Sequence, residues 1–175
     1  MIIYSMSEQI ILVDKEDNQI GTIGKLEAHK ENKLHRAFSL YIFNSKGELL
    51  IQQRNKNKYH SGGLWSNTCC SHPRVEENIE ESIHRRLEEE MGFDCKMEKI
   101  FNTLYQCDFD NGISENEFLH VFIGKYDGEV NANPEEADDY KWIDPKELLE
   151  DIEKNPDAYS YWFKKCIHRV LEHNA

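Results

Sequence analysis

Hydrophobic and polar positions alternate along this chain in short runs separated by turn residues. Ile10, Ile11, Leu12 and Val13, the polar stretch 14–18 and then residues 19–23 predict strand, turn, strand. Residues 25–34 are polar and predict a short helix or loop feeding the next strand. That strand is the apolar run 38–43; with the turn Asn44-Ser45-Lys46-Gly47 and a return strand at 48–54 it predicts a second hairpin. A basic, glycine-containing stretch, 55–63, reads as a loop, and 64–68 as a short strand running into a turn at Cys70.

At Asn78 the period changes. Ile79, Ile83 and Leu87 recur every fourth residue, which predicts a helix with one apolar stripe that stops near Gly92. Residues 96–106 and 117–126 read as strands around a turn at 108–112, Asp127-Gly128 makes a further turn, and 140–143 reads as a last strand. Asp144 caps a helix with Pro145 at its first position, Pro156 interrupts it, and 159–173 forms a C-terminal helix. No repeat, linker or low-complexity segment breaks the series. The elements predict an α/β (α+β) fold, a mixed β-sheet core flanked by helices, in one domain over 1–175 with residues 1–9 as a mobile N-terminal segment.

Composition narrows this picture. A chain of 175 residues buries a core without disulfide staples, and 39% hydrophobic with 31% charged residues is globular composition with no apolar run of bilayer length. The N-terminal residues have neither a basic region nor a cleavage-site pattern. Five cysteines, an odd count that includes the adjacent Cys69 and Cys70, fit a reducing, cytoplasmic setting better than a disulfide framework. A net charge of −12 argues against nucleic-acid and membrane partners, so a small anionic substrate requires a local basic pocket. The acidic runs at 76–90, 135–139 and 147–153 read mostly as solvated faces.

Chemistry concentrates in a few places. Cys70-Ser71-His72-Pro73 sets a thiol beside a metal-binding histidine just ahead of a helix N-terminus, whose positive potential tunes a thiol; Cys69 is expected to pack inward. A zinc knuckle is the rival reading, but no second Cys-x-x-Cys completes it. Glu115 and Glu117 share one face if they enter a strand, and paired carboxylates need a cation or a shared proton; otherwise they are an exposed acidic turn. With His29, His35 and His72 they would make a five- or six-coordinate site for a borderline divalent metal. Lys25, Arg54, Lys58 and Arg86 are candidate phosphate contacts, Arg86 alternatively bridging to Glu90 on its own helix. Trp65, Tyr105 and Trp162 read by default as core aromatics.

At these residues the chain resembles the Nudix superfamily. Glu77, Arg85, Leu87, Glu89, Glu90, Gly92 and Phe93 fall in register with the Nudix box, while Ser71 replaces its first glycine and Arg86 the glutamate after arginine. The second departure removes part of the carboxylate cluster with which a Nudix hydrolase holds metals, and so speaks against hydrolysis. Together with Cys70-Ser71-His72-Pro73 and Glu115-Asn116-Glu117, the departures resemble the type I isopentenyl-diphosphate isomerase branch over about residues 10–163. The resemblance implies that Cys70 and Glu117 are catalytic; for delivery of the proton to the alkene, the carrier is either a carboxyl or the Tyr105 hydroxyl. It implies that His29, His35, His72, Glu115 and Glu117 bind one tight divalent metal, Mn²⁺ or Zn²⁺, and that Glu90 holds a Mg²⁺ bridging the substrate diphosphate. Lys25, Arg54, Lys58 and Arg86 would contact that diphosphate, and Tyr105 and Trp162 would line the hydrocarbon pocket. The implied product pair is isopentenyl and dimethylallyl diphosphate, and the expected assembly a monomer or weak dimer. The segment between His29 and His35 is one residue shorter than in typical bacterial members. A pyrophosphohydrolase of nucleotide derivatives and a Nudix-like binding module are the competing expectations.

Overall fold

In the computed structural model, which describes residues 8–174, the first hairpin is β1 (Gln9–Val13) and β2 (Gln19–Gly24). Of the N-terminal segment 1–9, residues 1–7 lie outside the described residues, and Gln9 already opens β1. Helix α1 (Lys25–Lys30) is short; Asn32 follows in the left-handed region at φ 53°, which turns the chain into β3. β3 (His35–Phe43) starts before the apolar run and so includes His35; β4 (Leu49–Arg54) returns beside it.

β3 and β4 pair only at Phe43 and Leu49 and then diverge, and the following chain fills the gap. β5 (Trp65–Ser66) pairs with β4, and β6 (Cys69–Ser71) pairs with β3. At the crossing, Thr68 Oγ1 accepts from the Ile42 N–H at 3.0 Å and donates to the Leu50 carbonyl at 2.6 Å. The Asn67 amide donates to the carbonyls of Leu40 and Cys69. The expected strand at 64–68 is therefore two strands, and Cys70 lies in the second rather than in a turn. Side-chain hydrogen bonds replace the ladder there, and hydrophobic alternation does not report them.

Helix α2 (Ile79–Met91) opens on a reciprocal capping box between Asn78 and Glu81. It ends at Gly92, where φ is 75° and a Cβ would come within 2.5 Å of the Asn131 carbonyl oxygen. β7 (Met97–Asp108) and β8 (Ser114–Lys125) form a long hairpin, and β8 runs parallel to β3 from His35–Glu117 to Phe43–Lys125. β9 (Ala137–Ile143) pairs with β4 and precedes α3 (Pro145–Lys154), capped by Asp144. The last helix, α4 (Tyr161–Asn174), begins later than expected because Tyr159 and Ser160 stay extended against Trp65.

Strand alternation divides β3 between two cores. Ala37, Tyr41 and Phe43 face α3 and α4 with Phe163, Ile167 and Val170, whereas Phe38, Leu40 and Ile42 face α2 with Ile83, Leu87 and Met91. Among the described residues, no helix is long and apolar enough to cross a membrane. All five cysteines are free thiols.

Candidate active site

Four side chains converge beside the N-terminal end of β3: His29 from α1, His35 from β3, His72 just past β6, and Glu115 from β8. One ligand atom from each lies within 4.8 Å of the others, and all four residues are buried. The backbone sets the ring orientations. His29 Nδ1 lies 2.5 Å from the Lys25 carbonyl oxygen and His35 Nδ1 2.8 Å from that of Lys33; a carbonyl only accepts, so each Nδ1 carries the proton. In the neutral rings both Nε2 lone pairs then point inward. His35 Nε2 stands 3.2 Å from His72 Nε2, and Glu115 Oε2 is buried without a hydrogen-bond partner. Facing imidazole nitrogens and an unpartnered carboxylate oxygen suit a shared divalent cation, and three nitrogens with carboxylate oxygen suit a borderline one.

Glu117 lies next to this group, its Oε1 3.3 Å from His72 Nε2 and 3.7 Å from His35 Nε2. Both carboxylates enter β8, so they share a face as their spacing predicts. Their environments separate them. Burial opposes ionisation of Glu115, but the His29 and His60 rings set against it hold it well below the usual carboxylate range. Burial and the neighbouring Glu115 charge raise Glu117 to about 7. Burial and the charges of His35 and Lys25 push His72 well below the ordinary imidazole value.

Cys70 enters the same cavity from β6. Its neighbour Cys69 points the opposite way, into the α2 core, as expected. The predicted helix-terminus effect on the thiol is corrected: α2 starts only at Ile79, and burial raises Cys70 to about 12, with Arg54 opposing and Glu90, Glu117 and Glu115 adding to the rise. Tyr105 is buried in the same lining, pushed well above the ordinary phenol value by burial and by the Glu117 and Glu115 charges. Trp162 Nε1 donates to Asn67 Oδ1 at 3.2 Å, which fixes the indole plane. Tyr105 and Trp162 thus belong to the core and also line the cavity, whereas Trp65 lies beneath Lys141.

The cavity, about 60 Å³, opens toward the four predicted cations. The Arg54 guanidinium lies 5.1 Å above the Trp162 ring, Lys25 pairs with Glu8 at 3.2 Å, and Lys58 pairs with Glu136. Arg86 bridges Glu90, as its place on α2 predicts, and still lines the cavity; it also reaches Glu136 at 3.4 Å. Gln52 donates to the second Glu90 oxygen at 3.0 Å. Two residues escaped the sequence reading. Glu136 sits in an acidic run read as solvated, yet it neutralises Lys58 and Arg86. His60, in the loop 55–63, lies 2.7 Å from Glu115 Oε1; a Tyr59-His60 pair between Lys58 and Gly62 is the one signal that marks it.

The NUDIX domain family matches residues 33–164. Isopentenyl-diphosphate Delta-isomerase 2 of Aromatoleum aromaticum is 51% identical over 166 residues, 95% of this chain and 88% of that protein. Isopentenyl-diphosphate Delta-isomerase 2 of Photorhabdus laumondii is 50% identical over 93% of this chain and 92% of its own. A Deinococcus radiodurans protein of known crystal structure superposes with a TM-score of 0.77 at 20% identity, covering 93% of this chain and 98% of that one. The MutT protein of Methanosarcina mazei gives 0.65 at 19% identity, over 81% of this chain and 95% of its own. The last two are likenesses of fold.

Proposed function

The chain belongs to the Nudix superfamily, among its type I isopentenyl-diphosphate Delta-isomerases, and from that premise we propose how its residues divide the reaction. It interconverts isopentenyl diphosphate and dimethylallyl diphosphate. That change adds a proton to the terminal methylene carbon, removes one from the carbon next to the CH₂ that carries the diphosphate ester, and moves the double bond from the first of these carbons to the second, the branched carbon being shared. The intermediate resembles a tertiary carbocation, so an acid and a base must flank a flat five-carbon unit.

Cys70 and Glu117 are assigned these roles. The supporting observation is their origin: β6 and β8 lie on opposite sides of β3, and both side chains line one cavity. A thiol raised to about 12 keeps its proton at neutral pH, and a carboxyl near 7 exchanges one readily. In the reverse direction the two exchange roles. Tyr105, which lines the same cavity as Glu117, is placed to relay the proton that Glu117 exchanges with the substrate. Trp162 offers its ring quadrupole to the cation and helps exclude the water that would capture it. Lys25, Arg54, Lys58 and Arg86 bind the diphosphate, which holds the alkene between acid and base.

His29, His35, His72, Glu115 and Glu117 would hold Mn²⁺ or Zn²⁺, and Glu90 a Mg²⁺ shared with the diphosphate. When bound, these ions supply positive charge that fixes the carboxylates and balances the substrate anion. Incubation with isopentenyl diphosphate and Mg²⁺ should give dimethylallyl diphosphate without phosphate or pyrophosphate. Cys70→Ala and Glu117→Gln should each abolish turnover while the circular dichroism spectrum stays that of the parent. Pyrophosphate release without an allylic product would point instead to the hydrolase, and near-normal turnover in either variant would refute that residue's assignment.

A further inference from the structure

His60 belongs to none of the groups assigned above, yet it is buried in the middle of them. Its Nε2 lies 2.7 Å from Glu115 Oε1, and its Nδ1 lies 3.2 Å from the Ser61 hydroxyl. The ring stacks on Phe109 at 4.5 Å and 9° and meets Trp162 edge-on at 5.7 Å.

An ionised Glu115 only accepts hydrogen bonds, so His60 Nε2 is the donor and Nδ1 takes the Ser61 proton. His29 Nε2 approaches the same Oε1 at 3.1 Å, but its one ring proton in the neutral form is engaged at the Lys25 carbonyl. His60 is therefore the side chain able to donate to Oε1 without giving up a lone pair that faces the histidine cluster. The other oxygen, Oε2, has no partner and stands 3.7 Å from His35 Nε2.

We infer that His60 is a positioning residue for the metal site: it fixes Glu115 through Oε1 and so presents Oε2 to the ion held by His29, His35 and His72. The Phe109 stack sets the plane of the imidazole, and Ser61 sets its tautomer. The inference rests on the metal-holding reading of that cluster. Hydrogen-bonded supports of this kind typically govern metal affinity by about 10- to 100-fold.

The test is equilibrium competition for Zn²⁺ and Mn²⁺ against a chromophoric chelator. It uses the parent protein, His60→Phe, His60→Gln and Phe109→Leu, with apo-protein thermal midpoints as the folding control. His60→Phe keeps the flat ring on Phe109 but removes the donor, and should weaken metal binding about 10- to 100-fold. His60→Gln, whose amide nitrogen takes the place of Nε2, should recover most of that loss. Phe109→Leu leaves the donor but loosens its plane, and should lose less than His60→Phe. If His60→Phe does not fold, the other two variants carry the test: near-parental affinity in His60→Gln with a partial loss in Phe109→Leu would support a fixed donor, and full loss in His60→Gln would overturn it. Parental affinity in His60→Phe overturns the inference while leaving the metal reading intact, and loss in His60→Phe without recovery in His60→Gln overturns it in favour of a direct ligand. A parent protein that takes up neither ion removes the metal reading itself.

Discussion

Single side chains in this site are governed by where their protons sit. Two backbone carbonyls fix His29 and His35 so that their lone pairs face inward, and burial keeps Cys70 a thiol rather than a thiolate. Trp162 makes a prediction at this scale. If its ring stabilises the developing cation by about 2 kcal/mol, Trp162→Leu lowers kcat by roughly 30-fold with little change in KM. Steady-state kinetics at saturating Mg²⁺ check this, and an unchanged kcat with a raised KM would assign the indole to binding alone. Arg86 gives the complementary pattern. Its guanidinium already serves Glu90 and Glu136, so Arg86→Gln should raise KM for the diphosphate and also weaken the hold on Glu90.

Elements place these groups, and their ends matter more than their middles. β3 carries His35 at its first residue, pairs with Cys70 through Ser39, and faces Glu117 across the parallel ladder. α2 is anchored by its Asn78 cap and by Arg85, which binds Glu77 just ahead of the helix. Hydrogen bonds from Arg85 hold Glu77 at about 2, below its usual 4.5. A depressed carboxyl contributes stability above the unfolded value, and that contribution is lost as pH falls from about 4.5 through about 2. Glu77→Gln should therefore flatten the acid limb of the stability–pH curve in that window, as urea titrations at successive pH values would read. Helices α2, α3 and α4 and most strands were legible from period and capping residues; β8 was read from 117 onward, so Glu115 stood between a strand and an exposed turn until β8 proved to start at Ser114. The split of 64–68 was not legible, because Thr68 and Asn67 complete the sheet with side chains. Nor were His60 and Glu136, whose partners lie far away in sequence: a loop histidine and one member of an acidic run look like solvent-facing residues until the fold closes over them.

At the scale of the whole molecule, the fold solves a charge problem. A chain with net charge −12 must bind a diphosphate, and it gathers Lys25, Arg54, Lys58 and Arg86 around one opening while Glu8, Glu90 and Glu136 compensate them. If these cations bind the diphosphate as proposed, substrate binding exchanges carboxylate partners for phosphate oxygens, and KM should rise with ionic strength while kcat stays nearly level. The two cores pack on both faces of β3, which lies between β6 and β8, and in the proposed function Arg86, where the Nudix box has glutamate, turns the site from metal-driven hydrolysis toward anion binding. The central claim is that Cys70 and Glu117 move protons on a diphosphate that stays intact. Proton and deuterium NMR of isopentenyl diphosphate turning over in D₂O with Mg²⁺ tests it most directly. The account predicts that newly formed dimethylallyl diphosphate carries one deuteron in the methyl group made from the terminal methylene, with no free pyrophosphate. Early product with no deuterium, or pyrophosphate in place of product, would contradict it.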